Sequence, residues 1–207
     1  MVGNFIVSMT TKDLRQQFRR QRRNLSSSEQ AQHALLLQNH LQQLFIFKIN
    51  LRIAAYIATQ GEISLNPWIA SARRQQIFLP KLYEPLEPRL RFARLDAQTR
   101  WQRNRYNILE PAAHWGQTLP ARLLDVILMP LVAFDRQGFR LGMGGGYYDR
   151  SLAFRCARKH WRRPLLVGVA HSCQQHPSLP HQPWDVPLDI IVTEHEIIYP
   201  ARASLEK

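Results

Sequence analysis

Residues 126–150, VILMPLVAFDRQGFRLGMGGGYYDR, decide how this chain is read. The apolar run ending in Met129-Pro130 predicts a buried strand. A polar turn follows, then Arg140, a loop carrying Gly142, Gly144, Gly145 and Gly146, and Tyr147-Tyr148-Asp149 at the start of a predicted helix. Strand, glycine loop and helix in that order make an anion site. The first N–H groups of a helix lack partners, and the positive end of its dipole faces the loop. Glycines let the backbone approach a phosphate with no Cβ in the way. Arg140 adds fixed positive charge, and Asp149 has the chemistry to hold a magnesium ion that bridges phosphates. The loop is therefore read as the place where a nucleotide is handled. The plainer alternatives are a tight strand-to-helix turn and an Asp149 that only offsets the helix dipole. The loop is not a Walker A motif, because no Gly-Lys-Ser/Thr follows. Nor is it a GxGxxG fingerprint: the spacing is wrong and the tyrosine pair too bulky for close helix packing.

Outward from this unit the chain alternates helices and strands. Residues 11–24 predict a helix with Leu14, Phe18 and Leu25 near one face and Arg15, Arg19 and Arg22 along its neighbour. Ser26 to Glu29 reads as a capping box opening a second, leucine-rich helix that runs to about Phe45. Leu51–Thr59 suits a buried strand, and Asn66-Pro67 a helix start with Asn66 as cap, running to Arg74. Ile77 to Leu79 predicts a short strand stopped by Pro80. Four prolines punctuate 81–121, with short strands expected near 89–95 and 101–103. The glycine-loop helix is expected to reach about His160, and strands follow at Leu165–Ala170 and Asp189–Thr193. This order predicts an α/β fold of three layers: a largely parallel sheet with helices on both faces, as a single domain over 1–207. Residues 1–10 are expected to be a poorly packed extension, with Met9 an alternative start. Ligands on such sheets sit beyond the carboxyl ends of the strands, where the glycine loop lies.

Composition narrows the function classes. No apolar run is long enough to span a membrane, and Phe5-Ile6-Val7 is too short for a secretory signal. Two separated cysteines, Cys156 and Cys173, fit a reducing cytoplasm and make no metal motif. The 28 Lys and Arg against 15 Asp and Glu give a net charge of +13, which draws polyanions. No RRM, KH or zinc-knuckle signature accompanies it, so a solvated basic surface is expected and no nucleic-acid partner. Glu62, just past the first core strand, should project at the same rim as the glycine loop, although a helix cap is the commoner role. Asp189 alone reads as a turn residue and Tyr106 as a lid or packing aromatic. Lys12 and Arg15 read as solvated helix charges, and His171 and His176 as structural or surface residues.

Together these residues resemble the 5-formyltetrahydrofolate cyclo-ligase family over nearly the whole chain. The resemblance rests on Lys12, Leu14 and Arg15, on Glu62, on Leu79-Pro80, on Asn107 to Pro111 and on Met129 to Asp135. Its most specific part is Arg140 to Asp149, and Pro187-Leu188-Asp189 matches as well. It implies an ATP- and magnesium-dependent ring closure: ATP phosphorylates the formyl oxygen of 5-formyltetrahydrofolate, the second folate nitrogen attacks, and phosphate leaves. By similarity Lys12, Arg15, Arg140, Gly142, Gly144, Gly145, Gly146, Tyr147 and Tyr148 would contact ATP, with Arg140 also catalytic. Asp149 and Asp189 would bind Mg2+. Ile57, Glu62 and Tyr106 would line the folate pocket, Tyr106 stacking on the pterin and Glu62 accepting its hydrogen bonds. A cytoplasmic monomer or homodimer is expected. Many members carry a lysine inside the loop, as in GxGKGYYD, where this chain has Gly145. Arg140 and Lys12 with magnesium, or Lys81, would then supply that charge. The alternative reading is a basic nucleotide- or RNA-binding protein that kept the fold without the chemistry.

Overall fold

Two capped helices open the chain in a computed structural model that describes residues 9–44, 50–83, 88–157, 163–182 and 184–201. Helix α1 (Thr11–Arg23) starts at a capping box in which Thr10 and Asp13 satisfy each other's backbone N–H. Thr10 thus serves as the exposed cap of α1, while residues 1–8 lie outside the described residues. Helix α2 (Ser27–Gln43) starts at the expected Ser26–Glu29 box. Then come β1 (Arg52–Ala54), α3 (Asn66–Ser71), β2 (Gln76–Tyr83), β3 (Arg89–Arg94), β4 (Trp101–Arg103), β5 (Leu109–Pro111) and β6 (Thr118–Pro120). The second half holds β7 (Val126–Pro130), β8 (Ala133–Phe134), β9 (Arg140–Leu141), α4 (Tyr147–Leu152), α5 (Phe154–Ala157), β10 (Leu165–Val169), β11 (Ile190–Val192) and β12 (Ile197–Ile198).

Eight strands form one sheet in the order β12-β11-β10-β7-β1-β2-β3-β6. The central five, β11 to β2, are parallel, and β12, β3 and β6 run antiparallel at the two sides. In β7, Val126 and Leu128 face one core while Ile127 and Met129 face the other, so the strand is apolar throughout, as an interior parallel strand must be. On the first face Leu37 and Leu41 of α2 and Trp68 of α3 pack on Ile53, Leu128 and Val167. On the second, Leu152 of α4 and Phe134 pack on Phe92, Ile127 and Ile191. The three-layer, largely parallel expectation holds. A smaller cluster seats Leu14 and Phe18 of α1 against Val132, Ala133 and Leu141 at the carboxyl ends of the strands. Among the described residues no helix is long and apolar enough to cross a membrane.

Three local expectations are corrected. Strand β2 passes through Pro80 because β1 ends opposite Phe78; the missing N–H falls where no parallel neighbour needs it, while β3 pairs on the other side. Helix α3 takes Leu65 rather than Asn66 as its cap, with no side-chain cap bond. The helix after the glycine loop is not continuous: α4 ends at Leu152 and α5 is a separate turn ending at Ala157. Its expected end near His160, like that of α2 near Phe45, lies outside the described residues.

The sheet tolerates little added volume where β10 passes beneath the chain leaving β7. A Cβ at Gly168 would stand 2.5 Å from Leu188 Cδ1 and 2.8 Å from Leu131 Cδ1. Gly168→Val should therefore destabilise by about 1–3 kcal/mol through overpacking. The guanidinium unfolding midpoint measures it, and an unchanged midpoint would mean that the two leucines repack at no cost.

Candidate active site

Helix α1 is held to the rim by its arginines. Leu14, Phe18 and Arg22, spaced by four, form its buried face, and Arg22 is fully buried. The sequence suggested Leu25 for that face and Arg22 for the neighbouring one; Leu25 is half-buried. Arg22 donates from Nε to the Gln60 carbonyl (3.1 Å) and from Nη1 to the Leu131 carbonyl (3.0 Å), and its Nη2 lies 3.6 Å from Glu62 Oε1. Arg19 and Arg23 donate to the Gln60 side chain at 2.9 and 2.8 Å. The turn they grip follows β1, with Gln60 and Gly61 both at positive φ (51° and 80°). It delivers Glu62 to the rim, as the sequence suggested. Thr59 donates its backbone N–H to Glu62 Oε2 (3.0 Å). Burial pushes the Glu62 carboxyl up, against the pull of Arg22 and the Thr59 hydrogen bonds. Ile57, from the same segment, is half-buried against the first core.

The glycine loop lies beside Glu62. Hairpin β8–β9 aims it, and its turn is fixed by the buried Asp135 carboxylate, which accepts N–H bonds from Gln137, Phe139 and Leu179. Gly144 (φ 98°) and Gly146 (φ 64°) occupy the region that side chains avoid. Arg15 Nε donates to the Gly142 carbonyl (2.9 Å), and Arg150 donates to the carbonyls of Gly145 and, at 2.7 Å, Pro88. Arg140 donates to the Val186 carbonyl and to Asp149 Oδ1 (2.6 Å). Lys12, one turn before Arg15, is exposed. Tyr148 is half-buried beside Glu62, and burial together with that carboxylate pushes its phenol up. Helix α4, only one and a half turns long, offers end N–H groups rather than an extended dipole.

Hairpin β4–β5 closes over this loop. Tyr106 at its tip meets Tyr147 edge-on, with ring centroids 6.1 Å apart and hydroxyls 3.1 Å apart, while the Arg105 guanidinium sits 4.8 Å from the Tyr106 ring and donates to the Tyr147 hydroxyl. Tyr106 is 51% exposed, which suits a lid better than a core role. Lys81 is not a loop cation: its Nζ is bonded to Glu110 Oε1 at 3.0 Å, deep under the hairpin. A side chain at Gly145 would place its Cβ 3.0 Å from the Tyr147 ring, so the lysine of other members has no easy seat here. Arg150, to which the sequence alone gives no role, approaches the loop from its far end instead.

The two aspartates expected to share a magnesium ion are not brought together. Asp149 stands beside the loop with its side chain 57% exposed, a hard oxygen donor placed to meet a phosphate-bound Mg2+. Asp189 lies at the amino end of β11, where it accepts the Leu166 N–H (2.8 Å) and pairs with Arg155 at 3.2 Å. The loop lies beyond the carboxyl end of β7, next to Leu131. Asp149 together with phosphate oxygens would be enough to hold a magnesium ion at the loop.

Arg22 and Glu62 make a joint prediction. Arg22→Met should cost about 3–5 kcal/mol, because it leaves a buried carboxylate unpaired. The folded Glu62 carboxyl titrates above its ordinary 4.5, so the folded state keeps a proton that the unfolded chain releases. Its contribution is complete below that ordinary value and is lost as pH rises through the raised one. Removing Arg22 raises it further and carries the loss to higher pH. Denaturation midpoints across roughly pH 4 to 8 test this; parallel profiles for the two proteins would refute the coupling.

Comparison with known proteins bears on this geometry. The model of the 5-formyltetrahydrofolate cyclo-ligase family matches residues 7–194. The chain is 37% identical over 184 residues to the 5-formyltetrahydrofolate cyclo-ligase of Haemophilus influenzae, covering 86% of this chain and 95% of that one. It is 37% identical over 149 residues to that of Escherichia coli K12, covering 70% and 79%. The fold is similar to the NMR structure of Aquifex aeolicus 5,10-methenyltetrahydrofolate synthetase, with a TM-score of 0.78, 31% identity and coverage of 96% and 97%. Spanning the sheet, the glycine loop and the lid alike, these matches make the chain a member of the 5-formyltetrahydrofolate cyclo-ligase family.

Proposed function

We propose that this chain catalyses the ATP-dependent cyclisation of 5-formyltetrahydrofolate to 5,10-methenyltetrahydrofolate, with release of ADP and phosphate. The observation that carries the reading is the meeting, at one rim, of an arginine-flanked glycine loop, a buried carboxylate at Glu62 and an aromatic lid at Tyr106. In the first step the formyl oxygen attacks the γ-phosphorus and ADP leaves. The second folate nitrogen then bonds to the activated carbon and gives up its proton, and phosphate departs with the former formyl oxygen. Such chemistry needs positioning and charge neutralisation rather than a protein nucleophile. Lys12, Arg15, Arg140 and the 142–148 backbone would hold the phosphates. Arg150 would supply the charge that a loop lysine supplies elsewhere. Ile57 and Glu62 would seat the pterin, with Tyr106 closing over it.

Magnesium, when bound, would neutralise phosphate charge; Asp149 is its protein ligand in this scheme, and Asp189 stays with Arg155. The setting proposed is the cytoplasm, in keeping with two free thiols. The test is to mix the protein with 5-formyltetrahydrofolate, ATP and Mg2+ and follow methenyl absorbance. Absent absorbance together with salt-sensitive RNA binding would replace this reading with the binding-protein one.

Two variants sharpen it. Asp149→Asn should lower Mg2+-dependent turnover about a hundredfold. Loss of its bond to Arg140, whose side chain is only 8% exposed, should cost about 1–3 kcal/mol; full activity would remove Asp149 from the metal shell. Arg150→Met should raise the KM for ATP at least tenfold while Lys81→Met leaves it within about twofold. The reverse ranking would return the missing charge to Lys81.

A further inference from the structure

Three side chains that the proposed reaction does not use converge where α2 crosses the ends of β10 and β11. His33 comes from α2, His171 follows β10 and Glu194 follows β11. His33 Nδ1 lies 2.9 Å from His171 Nδ1 and 3.6 Å from Glu194 Oε1, and one donor atom from each residue falls within 4.8 Å of the others. His171 and Glu194 are buried, and the His33 side chain is 19% exposed. His195 stands at the mouth with its side chain 68% exposed and Nε2 3.6 Å from Glu194 Oε1.

A hydrogen-bonded histidine pair is the simplest account, and it leaves a remainder. One Nδ1 would donate and the other accept, which leaves Glu194 Oε1 3.6 Å from His33 Nδ1, outside hydrogen-bond reach. Donor atoms on a tetrahedral ion with metal–nitrogen bonds of about 2.0–2.1 Å sit roughly 3.3 Å apart, between the two spacings found here. Ser172 donates to Glu194 from its N–H (2.9 Å) and its hydroxyl, the outer support that a ligating carboxylate normally has.

We propose that His33, His171 and Glu194 form a transition-metal site, of the N,N,O class that suits Zn2+, with His195 turning in from solvent as the fourth ligand. The site is separate from the magnesium chemistry, whose ion prefers oxygen donors. It pins α2 to the carboxyl ends of β10 and β11. Sequence spacing did not reveal it because its ligands come from three distant segments.

The test uses the full chain without a histidine tag, stripped with EDTA and titrated with Co2+ as a spectroscopic substitute for Zn2+. One equivalent should give a visible absorption band of tetrahedral intensity, and Zn2+ should abolish it. The band should vanish in His33→Ala and in His33→Gln, weaken at least tenfold in affinity in His195→Ala, and persist in Cys173→Ser. Circular dichroism of the metal-free variants separates loss of ligand from loss of fold. No band in the unaltered chain, or a band that either folded His33 variant retains, overturns the site.

Discussion

The Arg22 guanidinium is the interaction on which the rest of the site depends. It lies wholly out of water and touches four segments: its own helix, the turn after β1 at Gln60 and Glu62, the exit of β7 at Leu131, and the glycine loop at the Met143 sulfur, 4.0 Å away. A buried cation is costly unless its donors are used, and a planar fork with five N–H groups can reach carbonyls and a carboxylate at once where an ammonium cannot. Without it, the buried face of α1 would keep only Leu14 and Phe18, and Arg15, Arg19 and Arg23 would be left to hold the helix to the rim. The same group pulls the Glu62 carboxyl back down against the rise that burial causes.

The sheet explains why these segments meet. Parallel strands send their connections out at one rim, and β1, β7, β10 and β11 all do so here. The antiparallel side has another use. Strands β2, β3 and β6 extend the sheet, and the chain between β3 and β6 forms the β4–β5 hairpin that bends back over the glycine loop. Glu110 anchors that hairpin, accepting from Lys81, Gln102 and the Leu82 N–H. Lys81 thus reads from sequence as a candidate phosphate ligand and stands in the structure as the counterion of the lid.

What sequence made legible was local. Ser26 and Glu29 cap a helix by their spacing alone, β7 declares itself by four successive apolar residues, and the glycine loop by its run of small residues. What it hid depended on partners far along the chain. Pro80 stops a strand only if its missing N–H was needed, and the end of β1 decides that. Arg22 reads as one more charge on a basic helix until Leu131, more than a hundred residues on, supplies a buried carbonyl. Asp189 matches a family motif, yet Arg155 and the Leu166 N–H hold its carboxylate at the other end of the strands. The spacing of four from Leu14 through Phe18 to Arg22 was the one available signal for the buried arginine, and a polar residue on an apolar stripe is easily assigned to the wrong face.

The excess positive charge acquires a structural explanation once its members are placed. Arg19, Arg22 and Arg23 grip one turn, Arg91 stacks on Trp115 at 3.5 Å and donates to Thr118, and Arg155 pairs with Asp189. Arg15, Arg105, Arg140 and Arg150 all act within one or two residues of the glycine loop or its lid. Several of these donate to backbone carbonyls, which cancels no charge. The hydrogen bonds order the guanidinium groups while their positive field stays at the rim. A preorganised field of this kind acts on an anion with little reorganisation when the anion arrives, which is how charge becomes catalysis rather than mere attraction. Part of the arginine surplus that suggested a polyanion surface in the sequence thus orders the loop proposed to hold phosphate, a loop without a lysine of its own.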